Sequence, residues 1–369
     1  MAPACHKASV TFKPFEPIEE SANLYPMAKG GKWGYMDQTG KIRIEPQFDN
    51  ASDFKEGVAV VWTNKQTFLI GKSGLIFTDP HIALMCNTVS EGMVMAAKAS
   101  WLSGGWGFIN TKGEIVMDFK FYICLPFSEG LAVANVNGKV GYIDKSGNWV
   151  IKPQFGPLSY PFYDGLAMVT VIEGESRGKR GFIDKEGNFV IKPIYAYAKD
   201  FSDGLAKVTF GTKDDPGWKF IRPDGSVAFT LNSRYDCFGK FSEGFSVVHG
   251  FDNGKSGFIN KQGEAVIAPQ FDEANDFSEG LAAVKVEGKW GYIDKTGKVV
   301  IEPLYSSVRD FHNGLALVYI DDKMAYINKA GEYIWGPEEH GVKPLISPEK
   351  AKELKERIES SPYIYHPPE

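Results

Sequence analysis

Four cysteines in 369 residues, Cys5, Cys86, Cys124 and Cys237, lie far apart and form no CxxC pair. That spacing supplies neither a zinc site nor a dense disulfide framework, and the four read as small buried hydrophobes. Histidine is equally sparse. The six histidines form no HxxxH or HxH pair, so no metal site is expected. No apolar run approaches the roughly 18 residues that a membrane-spanning helix needs. Charge of one sign is missing too: the formal net charge is −5, with Lys interspersed among Asp and Glu. No basic stripe is present for nucleic acid or an anionic membrane surface. GxSxG, a Walker loop and a dinucleotide fingerprint are absent in any strand-to-helix context. The stretch GKSG at 71–74 has no following helix and reads as a turn. Neither a cofactor nor an enzymatic activity is expected.

What the chain has in quantity is glycine, 40 residues, with 21 prolines and 14% aromatics. Such a composition without long helical patterns points to many short strands joined by tight turns. The glycines recur. Turns resembling DKTG end at Gly40, Gly74, Gly113, Gly147, Gly187, Gly225, Gly263, Gly297 and Gly331, 34 to 40 residues apart. A second motif, FSEG, ends at Gly57, Gly92, Gly130, Gly165, Gly204, Gly244, Gly280 and Gly314, each 17 to 19 residues after a turn glycine. A fixed period of this size marks a repeat architecture, in which one unit cannot bury its own face and must stack on a copy of itself.

The eighth repeat shows the unit. LAAVKV (281–286) alternates as a strand with Ala282, Val284 and Val286 on one face, Gly288 turns it into KWGYID, Asp294–Gly297 closes a hairpin, and KVVIEP runs as a third strand up to Pro303. The remainder reads as a return segment. Each unit is therefore expected to be a three-stranded meander. A strand glycine beside Trp290 marks a close approach of another backbone or a large ring. Aromatics at Tyr35, Tyr142, Phe182, Phe258, Tyr292 and Tyr326 are expected to join neighbouring units.

The pairs Trp33-Gly34, Trp106-Gly107 and Trp290-Gly291, with Val140-Gly141, Arg180-Gly181 and Ser256-Gly257 in the same place, resemble the WG-repeat family, also met as KWG repeats. The resemblance runs from about Leu24 to Trp335. Repeats 2, 6 and 9 depart from it, with Thr67-Phe68, Trp218-Lys219 and Met324-Ala325 at the motif, and repeat 3 has DFKFY in place of EPxF. It implies an all-β array, found largely in bacterial proteins, with no common enzymatic activity.

Nine units exceed the four to eight blades of most propellers, and the return segment is poor as a fourth strand. An open, solenoid-like array over 24–338 is therefore expected, with a closed β-propeller as the alternative. An open array needs covered ends. In the C-terminal segment 339–369, Ser347-Pro348-Glu349 reads as a helix start, and a helix over 346–360 is expected to cap the last repeat. The leader 1–23 is expected to be extended or disordered. As written it carries no secretory signal, which makes the cytoplasm the default location; a trimmed signal, with Cys5 as a lipidation site, would place the chain in the envelope or outside the cell.

Acids or amides fill both turn motifs, from Asp37 to Asn328 and from Glu56 to Asn313, and are expected to bond their own turns rather than to bind calcium. Length varies chiefly between the strands GLAxVxV and KWGYID, at 98–105, 171–180, 210–217 and 249–256. Equivalent loops of a repeat array share a face, and that face often binds. The expected function is thus a monomeric, non-enzymatic scaffold that binds a protein through the long loops of repeats 3–7, with Trp101, Leu102, Phe251, Asp214, Asp215 and Arg177 as candidate contacts. A module for glycans or cell-wall polysaccharide is the alternative, with rings exposed between repeats stacking on sugars. A hydrolase using Asp214 and Asp215 is a minor third reading, supported only by their adjacency.

Overall fold

A computed structural model describes residues 13, 17–77, 79, 81–98, 105–212, 217–237 and 239–336. Trp101, Leu102, Asp214, Asp215 and the expected helix at 346–360 lie outside these residues. The described chain is all β, in nine antiparallel sheets that follow the nine repeats. Two compact units divide it, Met1–Lys120 with the first three sheets up to their last residue, and Phe121–Glu369 with the other six.

Eight of the nine sheets have four strands, and the first has three. The expected three-stranded unit is thereby corrected. In the eighth sheet the return segment supplies a two-residue strand, Glu273–Ala274, ahead of Leu281–Val286, Lys289–Asp294 and Val299–Tyr305. Four antiparallel strands in sequential order form the blade of a propeller, so the open solenoid loses one of its two premises, the missing fourth strand, and the unit matches the alternative.

The strand pattern explains where the core lies. Leu281–Val286 is apolar on both faces: Ala282, Val284 and Val286 pack on Phe258, Ile267 and Phe271 of the preceding sheet, and Leu281 and Ala283 belong to the cluster with Phe311, Val318 and Ile327 of the following one. Within the first unit, Tyr35, Ile44 and Phe48 meet Ala59, Val61 and Phe68 in the same manner. Within each unit the core is a series of layers between successive sheets. Edge-on rings join those layers at the expected aromatics, Tyr35 to Phe54 at 4.8 Å, Phe182 to Phe201 at 4.9 Å and Tyr292 to Phe311 at 4.9 Å. Each such pair contributes about 0.5–1.5 kcal/mol beyond the area it buries. Ile18, in the leader, is buried in the first of these clusters, and its N–H bonds to Lys72 O at 3.1 Å.

The WG glycine has a single cause. Opposite Gly291 the register slips, because Trp290 pairs with Tyr305 whereas Tyr292 pairs with Ile301, leaving three residues of the fourth strand facing one glycine. A Cβ at Gly291 would stand 2.5 Å from Ile301 O and 2.7 Å from the Pro303 nitrogen. Gly141 and Gly181 meet the same obstruction, at 2.5 and 2.7 Å from the equivalent isoleucine oxygens. In repeat 3, Gly107 meets Met117 O at 2.5 Å although no proline is present. The six repeats that keep this glycine all have a seven-residue fourth strand, whereas those with Phe68, Lys219 and Ala325 have only Gly74–Phe77, Val227–Thr230 and Tyr333–Trp335 there. The glycine and the wide bulge opposite it are lost together, while the second register shift of the same strand pair remains.

Gly291→Ala is expected to lose about 3 kcal/mol through this overlap. Gly288→Ala, in open space at φ 79°, should lose only about 1 kcal/mol from its left-handed backbone. Urea denaturation of the two variants measures the difference, and equal losses would contradict the assignment.

Candidate functional site

The turn motifs are spent on structure. Asp294 Oδ1 accepts the N–H groups of Thr296 (2.9 Å) and Lys298 (3.1 Å), and Asn328 does the same for Ala330 and Glu332 at 3.0 Å each. The FSEG motif is a two-residue turn with both residues left-handed, Glu279 at φ 53° and Gly280 at φ 87°. Holding an acid there costs about 1–2 kcal/mol relative to glycine. Its carboxylate reaches the next repeat: Glu279 accepts Gly314 N–H at 3.0 Å, Asp203 accepts Gly244 N–H at 2.6 Å, Asp164 accepts Gly204 N–H at 2.7 Å, and Glu56 accepts Gly92 N–H at 2.6 Å. A lysine of that next repeat's turn joins as well, Lys185 to Glu129, Lys261 to Asp203, Lys295 to Glu243 and Lys329 to Glu279, at 2.6–3.2 Å. The motif serine completes the link. Ser202, Ser242 and Ser278 donate to Phe241 O, Phe277 O and Phe311 O at 2.7–2.8 Å.

Candidate contacts on the long hairpins fare unevenly. Phe251 is 65% exposed, in a turn pinned by its own N–H to Arg234 O (2.9 Å) and by Asn253 to Pro269 O (2.9 Å). Arg177 is exposed in a turn closed by Gly178 N–H to Val171 O at 2.8 Å. No bond or ring contact joins these two side chains among the described residues. Trp33, Trp106 and Trp290 are half-buried parts of the repeat frame, and Gly130, Gly165, Gly204, Gly244, Gly280 and Gly314 are its left-handed turns, at φ 80–90°.

A concavity not anticipated from the sequence is also present. A cavity of about 430 Å³ in the fifth to seventh repeats is lined by Tyr160, Tyr163, Arg180, Tyr197, Lys199, Asp200 and Lys240, among others. It arises from departures within the repeat. Where the eighth repeat reads DFSEG and the third, fourth, sixth and seventh keep its serine, the fifth reads PFYDG, so Tyr163 takes the serine position and is 43% exposed, while Phe162 still packs edge-on against Tyr142 at 5.0 Å. Tyr160 comes from the irregular segment GPLSY, held by Ser159 Oγ donating to Gly156 O (2.8 Å) and Tyr142 OH donating to Tyr160 O (2.8 Å). Arg180 replaces the motif tryptophan. Its guanidinium lies 4.4 Å from the centre of the Tyr197 ring and donates to Ala198 O at 3.2 Å. Trp218 meets the same Tyr197 edge-on at 5.3 Å. Lys240 stands where repeats 6, 8 and 9 have Asp200, Asp276 and Asp310.

Asp200 Oδ1 is buried with no hydrogen-bond partner. Burial pushes its carboxyl up to about 6, against the pull of Lys199. The same burial, with the Asp200 charge nearby, raises the Tyr163 hydroxyl, and Asp276 is raised by burial while Lys240 opposes it. Among the described residues no group of three or more His, Cys, Asp or Glu could hold a metal ion, and no helix is long and apolar enough to cross a membrane. Cys124 and Cys237 are buried and free, and burial pushes the Cys124 thiol up to about 12. The signal for the cavity was in the sequence, as substitutions at frame positions of the fifth and seventh repeats rather than as added loop length.

Sheets of sequential strands with a bulge-facing glycine define an all-β repeat protein. The model of the WG containing repeat matches residues 33–64, 106–139, 141–171, 181–213, 257–290 and 290–323, more than half of the chain. The chain belongs to the WG-repeat family. These six matches fall on the six repeats that keep the glycine. Among curated proteins none matches in sequence. Solved structures similar to this chain include Hsv2p of Kluyveromyces lactis (10% identity, TM-score 0.40, covering 66% of this chain and 92% of that one). Kluyveromyces marxianus Hsv2 is another (11%, 0.39, 73% and 89%), as is the extracellular domain of the hybrid two component system BT3049 of B. thetaiotaomicron (12%, 0.24, 88% and 53%). At these TM-scores none of them assigns a ligand or partner to this chain.

The raised Asp200 carboxyl makes a signed prediction. Its folded value, about 6, lies above the ordinary 3.8, so its contribution is most favourable below about pH 4 and is lost as pH rises through 6. Asp200→Asn should therefore be more stable than the parent at pH 8, by about 1–3 kcal/mol, and gain nothing at pH 3.5. Thermal melts at the two pH values check this, and identical curves at pH 8 would contradict it.

Proposed function

We propose that the chain is a non-enzymatic binding scaffold, a blade array of the propeller type whose hairpins between the second and third strands in repeats 3–7 hold a protein partner. The observation that carries this reading is the division of labour within the repeat. Turn acids, lysines, serines and glycines are engaged in holding one repeat to the next, whereas the hairpins vary in length and leave Phe251 and Arg177 exposed. A large exposed ring on a turn fixed by its own backbone bonds supplies a rigid anchor at low entropic cost.

A second reading, a glycan-binding module, is favoured by one observation: Tyr160 and Tyr163, 39% and 43% exposed, both line the cavity between repeats. Ring faces of this kind stack on the C–H faces of sugars.

Affinity capture with the parent chain and a Phe251→Ala, Arg177→Ala double variant tests the first reading. A protein retained by the parent should fall at least about tenfold on the variant, the equivalent of 1.4 kcal/mol, with an unchanged Tm. Equal retention of every captured protein would count against the hairpins as the binding face.

A further inference from the structure

From the lining of the Tyr160–Tyr163–Tyr197 cavity we infer that it binds an acidic saccharide, a hydroxylated ring that carries a carboxylate. The inference rests on the glycan reading rather than on the hairpins. Its volume, about 430 Å³, lies in the range of roughly 300–1,000 Å³ typical of small-molecule sites. Three tyrosines provide flat, partly apolar walls tipped with hydroxyls. Tyr160 and Tyr163 are the more exposed, and Tyr197 is fixed between the Arg180 guanidinium on its face and the Trp218 edge.

Charge decides the class of ligand. The lining holds Arg180, Lys199 and Lys240 against a single carboxylate, Asp200. Asp276 interacts with Lys240 and Lys199 but does not line the cavity. An organic cation, which a tyrosine cage would otherwise suit, meets three positive groups here and is disfavoured. A wholly apolar ligand would make no use of the net positive charge of the lining. A sugar acid satisfies both features, placing C–H faces on the rings and its carboxylate against the cations. Arg180 is positioned for this. Its contact with the Tyr197 ring and its bond to Ala198 O fix the guanidinium plane, so that little side-chain entropy remains to be lost on binding.

Two of the determinants are substitutions within the repeat frame. Lys240 reverses the sign of the aspartate found in repeats 6, 8 and 9, and Tyr163 takes the place of the serine that elsewhere bonds the following repeat. At Tyr163 a residue that elsewhere bonds the next repeat has given way to one that lines the cavity.

Isothermal titration of the full chain with tetragalacturonate, and with neutral cellotetraose, tests the inference. Saturable binding of tetragalacturonate is expected, with Kd raised about tenfold or more in Lys240→Glu and in Tyr163→Ala. Both variants should melt with the parent, and Phe251→Ala should bind as the parent does. Equal binding of cellotetraose would overturn the assignment of an acidic ligand and leave the glycan reading standing. Absence of heat with either sugar at millimolar concentration would overturn both. Tetragalacturonate binding that neither variant weakens would place the site elsewhere and overturn the inference.

Discussion

A carboxylate at a left-handed turn position, accepting the amide of the equivalent glycine one repeat further on, is the interaction on which the rest of this structure depends. It recurs from Glu56 to Gly92 in the first unit and from Glu129, Asp164, Asp203, Glu243 and Glu279 to their successors in the second. Glycine would sit at these positions without backbone strain, yet an acid or an amide occupies every one. The interaction with the next repeat offsets that strain. Burial acts to raise the Glu279 carboxyl, but Lys329 and the Gly314 amide outweigh it and hold the group below its usual range. The link is thus charged and oriented at neutral pH. It sets one blade against the next at the turn, while the apolar layers between sheets supply most of the stabilisation.

The second constraint is local. Three residues of the fourth strand face one residue of the third, and only glycine allows that approach. Because the long fourth strand and the glycine depend on each other, a repeat can lose both at small cost, and repeats 2, 6 and 9 have done so. The motif that names the family therefore reports on a bulge. It carries no information about a ligand.

Much of this was legible in the sequence. The period, the DKTG turns with their Asx bonds, the three longer strands and the close approach at the WG glycine all follow from spacing and residue type. The two-residue strand that opens seven of the nine sheets was not legible, because residues such as Glu273 and Ala274 contain no periodicity to detect. That omission made the open array look preferable to the blade. Inter-repeat partners were hidden for a different reason: Glu279 and Gly314 are 35 residues apart, and the turn preference of an acid already accounts for its presence. Loop length, the visible mark of specialisation in the sequence, does not point to the cavity. Its residues instead replace frame residues, Arg180 for tryptophan, Tyr163 for serine and Lys240 for aspartate, and stacking brings them together. In a repeat protein the frame is its own reference, and departures that converge in space show where the array has been put to use.

Amide hydrogen exchange at the turn glycines, followed by NMR at neutral pH, tests the central claim most directly. The account predicts that Gly92, Gly165, Gly204, Gly244, Gly280 and Gly314 are protected despite lying in tight surface turns. In Glu279→Gly, which keeps the left-handed backbone and removes the carboxylate, Gly314 alone should lose its protection. Exchange of these glycines at the rate of free turns in the parent chain, or a Gly314 amide indifferent to the substitution, would contradict it.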